Sequence, residues 1–304
     1  MDFLYHSLRV KLHPLFAVWL LPAVLAAASA EFDLEPWKQK PRTEVQALAE
    51  KNDPDALFAL AMFYWEGHET QKDPAKAFDW AMRAAEAGHA RAMNTVGVCL
   101  ANGFGAERNL AQARAWYEKS AALGYAPACF NLGKMFIAGI SVERDPVQAF
   151  QWFLKAAELG DVESQNMVAM SYSLGSGVLA DMAKSAHWYL KAAEAGHAPS
   201  QNDIGLHYLK GNGVPKDPQR ALQWIQKSAE QGYAKAQFNL GVFHEDGLGV
   251  EKNKVEALKW FILAARNGDE GAKAERARLE NELPREARER AQSLANAFPA
   301  SGGS

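Results

Sequence analysis

Trp188-Tyr189-Leu190-Lys191-Ala192-Ala193-Glu194-Ala195-Gly196 is the stretch that decides the fold, because its landmarks return along the chain every 36 residues. Tryptophan recurs in phase at Trp80, Trp116, Trp152, Trp224 and Trp260. Alanine recurs at Ala85, Ala121, Ala157, Ala229 and Ala265, and the closing glycine at Gly88, Gly124, Gly160, Gly232 and Gly268. A further glycine set, Gly67, Gly103, Gly139, Gly175, Gly211 and Gly247, keeps the same period. Four positions in register over six copies, with no insertion, define an array spanning residues 53–269. A unit of this length cannot bury its own apolar face, so it must stack on its neighbours.

Each copy reads as two antiparallel helices. In the sixth, Ala236, Leu240 and Phe243 have helical spacing across 234–244, and in the third Ala149, Trp152, Phe153, Ala156 and Ala157 form one broad apolar face. Between the helices lies a loop of breakers, such as Gly211-Asn212-Gly213-Val214-Pro215 in the fifth copy. One fixed position then carries Asp73, Asn109, Asp145, Asp181, Asp217 or Asn253, whose side chains accept the free amide hydrogens of a first helical turn. Small residues at Gly97, Gly133, Gly205 and Gly241 predict close approach of the second helix and its tryptophan to the first. The expected fold is all-α, a right-handed superhelical solenoid of six helix pairs at 53–88, 89–124, 125–160, 161–196, 197–232 and 233–269.

The ends predict a leader and caps. Arg9 and Lys11 precede an apolar run from Leu15 to Ala27, and Ala28-Ser29-Ala30 supplies a small-x-small cleavage pattern. Residues 1–30 are therefore expected to be a signal peptide. The run is broken by Pro22 and falls short of the roughly 20 residues that cross a bilayer, so no stable membrane insertion is expected after cleavage. Residues 31–52 read as a linker and N-terminal capping helix stopped at Asn52, 270–298 as charged C-terminal capping helices, and 299–304 as a flexible tail.

Leu132-Gly133, Gly175-x-Gly177-Val178, Asp181 and Trp188-Tyr189-x-Lys191-Ala192-Ala193-Glu194-x-Gly196 resemble the Sel1-like repeat, a relative of the tetratricopeptide repeat. The first copy departs most, with Glu69 at the second loop glycine and Ala61 at the helix glycine, which puts its loop geometry in question. The resemblance implies an adaptor that scaffolds complexes in envelope biogenesis, secretion or quality control. Some secreted members of that family clip each repeat with a disulfide. This chain lacks their cysteine pattern, so the penicillin-binding or β-lactamase-like activity attributed to them does not carry over.

Composition narrows the chemistry. The 304 residues are 48% hydrophobic and 23% charged, which is ordinary for a folded protein, and 33 basic against 36 acidic residues give a net charge of -3. No polyanion-binding surface follows, so nucleic acid is not an expected partner. The sequence holds no HExxH, P-loop, nucleophile elbow or dinucleotide fingerprint. His89 and His197 read as solvated linker residues, and His207 with His244 as surface polar residues rather than a weak metal site. Cys99 and Cys129 are out of phase by six residues, too far apart for a disulfide. No catalytic residue, metal or cofactor is expected.

What remains is the surface of the first helices. Phe58, Trp65, Asn94, Asn131, Lys134, Asn202, Asp203 and Lys210 fall at positions expected to line an inner groove. Asn can pair with a peptide backbone, and aromatics give stiff apolar contacts. The same phase also suits packing between neighbouring first helices, and both readings stand. The expected function is an exported, non-catalytic scaffold, periplasmic or secreted, that binds a protein or peptide in a concave groove. A peptidoglycan or glycan-fragment binder is the alternative, followed by an envelope hydrolase. The oligomeric state is not legible.

Overall fold

The computed structural model describes residues 33–299. The expected signal peptide lies outside the described residues, as does the tail beyond residue 299. Among the described residues there are sixteen helices and no strand. The chain divides into two compact units, Met1–Leu159 and Gly160–Ser304.

The first unit opens with α1 (Glu35–Lys38) and α2 (Arg42–Glu50), followed by three helix pairs. These are α3 (Pro54–Glu66) with α4 (Pro74–Glu86), α5 (Ala90–Asn102) with α6 (Leu110–Ala122), and α7 (Ala126–Ala138) with α8 (Pro146–Glu158). In the second unit α9 (Val162–Leu174) pairs with α10 (Met182–Glu194), α11 (Ala198–Lys210) with α12 (Pro218–Glu230), and α13 (Ala234–Asp246) with α14 (Lys254–Arg266). There α15 (Glu270–Glu282) and α16 (Arg285–Ala297) both pack on α14. Within each unit the two helices of a pair pack on one another, and each second helix also meets the first helix of the next pair. Each unit is a stack of helix pairs, an all-α solenoid.

Local chemistry sets the ends of these helices. Every second helix of the array begins at the Asp or Asn read from the sequence; Asp73 accepts from the Lys76 amide at 3.1 Å and Asn109 from the Gln112 amide at 3.0 Å. Every first helix of the array ends on a glycine in the left-handed region, for example Gly103 at φ 78°. The next loop turn is also left-handed. A Cβ on Gly105 would stand 2.0 Å from the Pro74 carbonyl oxygen, so the loop of one pair lies against the start of the preceding second helix. In the first copy Glu69 keeps the left-handed turn at φ 50°, so the glycine is missing but the loop geometry is not. Its carboxylate accepts from the Arg42 amide at 3.2 Å, at the start of α2, which gives the larger side chain a role there. Ser141 does the same without glycine in the third copy, at φ 61°.

The helix glycines do admit a close neighbour, but it is not the tryptophan. A Cβ on Gly97 would stand 2.5 Å from Tyr117, on Gly133 2.5 Å from Phe153, on Gly205 2.6 Å from Ile225 and on Gly241 2.6 Å from Phe261. In each case the residue after the repeated tryptophan fills the space. Tyr117, Phe153, Ile225 and Phe261 are fully buried with Leu132 and Met135 in the first unit and Ile204, Leu240 and Phe243 in the second. The tryptophans are half-buried, except Trp260 at 4% exposure, and a cation three residues on covers the ring in five copies. Lys119 lies 4.0 Å from the Trp116 ring centre and Arg83 4.3 Å from that of Trp80.

Candidate partner-binding faces

First helices of consecutive pairs lie beside one another within a unit, and the amides between them explain much of the inner face. In the first unit Asn131 Nδ2 donates to Asn94 Oδ1 at 3.0 Å, joining α7 to α5. In the second unit Asn239 Nδ2 donates to Asn202 Oδ1 at 2.7 Å, joining α13 to α11. Both bonds span 37 residues, one repeat plus one position. Asn94 is 2% exposed, and Asn131 and Asn202 are 3% exposed. These three residues therefore hold the stack together and offer no surface to a partner. Phe58 is corrected in the same way, since it is fully buried with its ring stacked on His89 at 4.7 Å. Burial belongs to these residues and not to the phase as such, since Phe130, Asn166 and Phe238, in phase with Phe58, Asn94 and Asn202, are half-buried.

The remaining expected residues keep exposed atoms. On the first unit Trp65 is half-buried and meets the Phe104 edge at 6.4 Å, while Lys134 places its ammonium 5.1 Å from the Phe130 ring centre. On the second unit Lys210, the last residue of α11, is exposed and Asp203 is half-buried. Asp203 accepts from Asn202 Nδ2 at 3.0 Å. Burial pushes its carboxyl above the ordinary range, against the lowering effects of Asn202, Lys235 and His197.

Two histidines have roles that composition did not reveal. His89 and His197 are the N-caps of α5 and α11, not solvated linkers; their side chains are only 10% and 13% exposed. His89 Nδ1 accepts from the Ala92 amide at 3.0 Å, and its Nε2 faces Asp55 at 3.3 Å. His197 does the same with Ser200 and Glu163, at 3.3 Å for both. Accepting at Nδ1 requires the neutral tautomer with hydrogen on Nε2. A carboxylate 34 residues upstream was the available signal, legible only once first helices are known to be neighbours.

His207 Nδ1 lies 2.8 Å from the Asn212 carbonyl oxygen, and burial lowers the proton affinity of both His207 and His244. Among the described residues no group of three or more His, Cys, Asp or Glu side chains is arranged to hold a metal ion. Cys99 and Cys129 are both buried, and burial pushes the Cys99 thiol up to about 12. No helix among the described residues is long and apolar enough to cross a membrane.

Six consecutive segments, 54–89, 90–125, 126–161, 162–197, 198–233 and 234–269, match the Sel1 repeat. A crystal structure of a Sel1 repeat protein from Oxalobacter formigenes is 30% identical over 72% of this chain and 90% of that chain, with a TM-score of 0.63. Another, of c5321, a protective antigen present in uropathogenic Escherichia coli strains that displays an SLR fold, is 25% identical over 84% of this chain and 78% of that chain, with a TM-score of 0.46. Helicobacter pylori cysteine rich protein B is 28% identical over 45% of this chain and 98% of that chain, with a TM-score of 0.36. No curated protein matches the sequence.

Proposed function

This chain belongs to the Sel1 repeat family, and on that premise we propose that it is an exported, non-catalytic scaffold that binds a protein or peptide along the exposed residues of its first helices. The observation that carries this reading is where the copies differ from one another. Packing positions repeat their chemistry: Leu60, Val96, Leu132, Val168, Ile204 and Leu240 share one phase and are all buried. Half-exposed positions on the same helices do not. Trp65, Ile137, Ser173, Leu209 and Glu245 share one such phase, and at another Lys134 interrupts the apolar Met62, Val98, Met170, Leu206 and Val242. A stack needs repetition where it packs, whereas recognition of a non-repeating partner needs variation where it contacts.

The half-buried Trp65 and the aliphatic stem of Lys134 supply the kind of contact that anchors interfaces. Export rests on the leader pattern at residues 1–30. The test begins with partners recovered on the immobilised protein from the exported fraction of its source. Each is then titrated against Lys134→Glu and Leu206→Glu, with Gln151→Glu on the second-helix face as control. The first two should each weaken binding by about 1–2 kcal/mol while thermal unfolding is unchanged. Unaltered affinity in both would move the binding surface off the first helices.

A further inference from the structure

Two pairs of first helices are joined by asparagine amides, and where a third asparagine, Asn166, stands at the same phase its counterpart 37 positions on is an acid. Asn131 with Asn94, and Asn239 with Asn202, set a rule in which the residue 37 positions on donates to the earlier amide oxygen. By that rule the pair between α9 and α11 is Asn166 with Asp203. An ionised carboxylate has no hydrogen to donate. Ser200 Oγ instead supplies the bond to Asn166 Oδ1, at 2.9 Å. Among the described residues, Asn202 Nδ2 makes the one hydrogen bond that reaches the Asp203 carboxylate.

Most of the acceptor capacity of this half-buried carboxyl is therefore unused. Lys235 and His197 act on it from a distance, and among the described residues neither forms an ion pair with it. Burial raises the phenols of Tyr189 and Tyr233, and the charge of Asp203 adds to that rise. The fold does not call for an acid here, because asparagine serves at the same phase in Asn131 and Asn239.

We infer that Asp203 seats a cationic group, a guanidinium or ammonium carried by the bound peptide, on the first-helix face of the second unit. A cation would make charge-assisted hydrogen bonds to the free acceptor positions. This rests on the reading of the first helices as the binding face, and names the partner chemistry at one point of it.

The test uses the full chain and a peptide array in which each sequence is offered with arginine, lysine, citrulline or norleucine at one position. The arginine and lysine forms should bind at least about tenfold tighter than the citrulline and norleucine forms. Asp203→Asn restores the pairing seen elsewhere, so it should unfold no earlier than the parent while losing the preference for a cation. Asp203→Ser is the second variant, should the first not fold, and it should lose the same preference. Equal binding of arginine and citrulline forms by the parent, or a preference that survives in either folded variant, overturns the inference and leaves the binding face standing. Failure of every peptide form to bind the parent overturns the inference as well. The face itself falls only if Lys134→Glu and Leu206→Glu leave a recovered partner bound as before.

Discussion

Gly133 and Phe153 show how little room a helix pair leaves. With a Cβ at Gly133 2.5 Å from the Phe153 ring, Gly133→Ala should cost about 1–3 kcal/mol in a denaturant titration. The first copy already holds the compensated form, with Ala61 at the helix glycine position and Ala81 in phase with Phe153. Gly133→Ala with Phe153→Ala should therefore cost less than the two single changes summed, and additive costs would mean that the two side chains do not share this space. Trp188 is a contrasting case. It is half-buried with Lys191 4.9 Å from its ring centre, so Trp188→Ala should cost about 1–3 kcal/mol, below the roughly 3–5 kcal/mol of a fully buried aromatic. The period made the tryptophan legible and its role illegible. Adjacent helical residues point about 100° apart, and a period marks the phase of both without saying which faces the partner helix.

At the scale of the helix, caps were legible where a side chain has one plain role and hidden where it has several. Asp and Asn before the second helices announce themselves as acceptors. Histidine caps a helix only in its neutral form, and this makes α5 sensitive to acid. Burial lowers the His89 proton affinity; the charge of Asp55 raises it in part and that of Arg91 lowers it further. A histidine held below its unfolded value contributes stability that is present above about pH 6.5 and is lost as pH falls through the folded value. His89→Asn keeps an acceptor without a titrating ring. It should match the parent near neutral pH and show a shallower loss of stability on acidification, read from melting temperatures across the range; a parallel decline in both proteins would remove His89 as the cause. The inner face was the least legible part of the candidate site. Asn94, Asn131 and Asn202 look identical in sequence whether they face solvent or one another, and only the contact between first helices decides it.

On the scale of the whole chain, the ends of the array depart from the repeats they close. In the second unit α15 buries only Ala272 and Leu279, and α16 only Ala291 and Ala295, while Phe298 meets Trp260 at 5.2 Å. A chain ending at Asp269 should lose at least about 3 kcal/mol and bind a hydrophobic dye at the uncovered surface of α14, and an unchanged melting curve would show that these helices cover nothing of consequence. The charged composition of these helices led to the expectation of caps, but the seat of Phe298 on Trp260 was not readable, since no repeat supplies a phase for it. The asparagine pairs bear on how such a chain can change over generations. A gene built of identical cassettes gains and loses them easily by recombination, because any copy fits any other. Removal of residues 125–160 here would align Asn94 with Met167, a side chain that cannot pair with it, and strand a buried amide at a cost of about 1–3 kcal/mol. Two pairs of amides thus bind particular cassettes to particular neighbours, the second to the third and the fifth to the sixth, and a loss that parts either pair must be matched by replacing an amide.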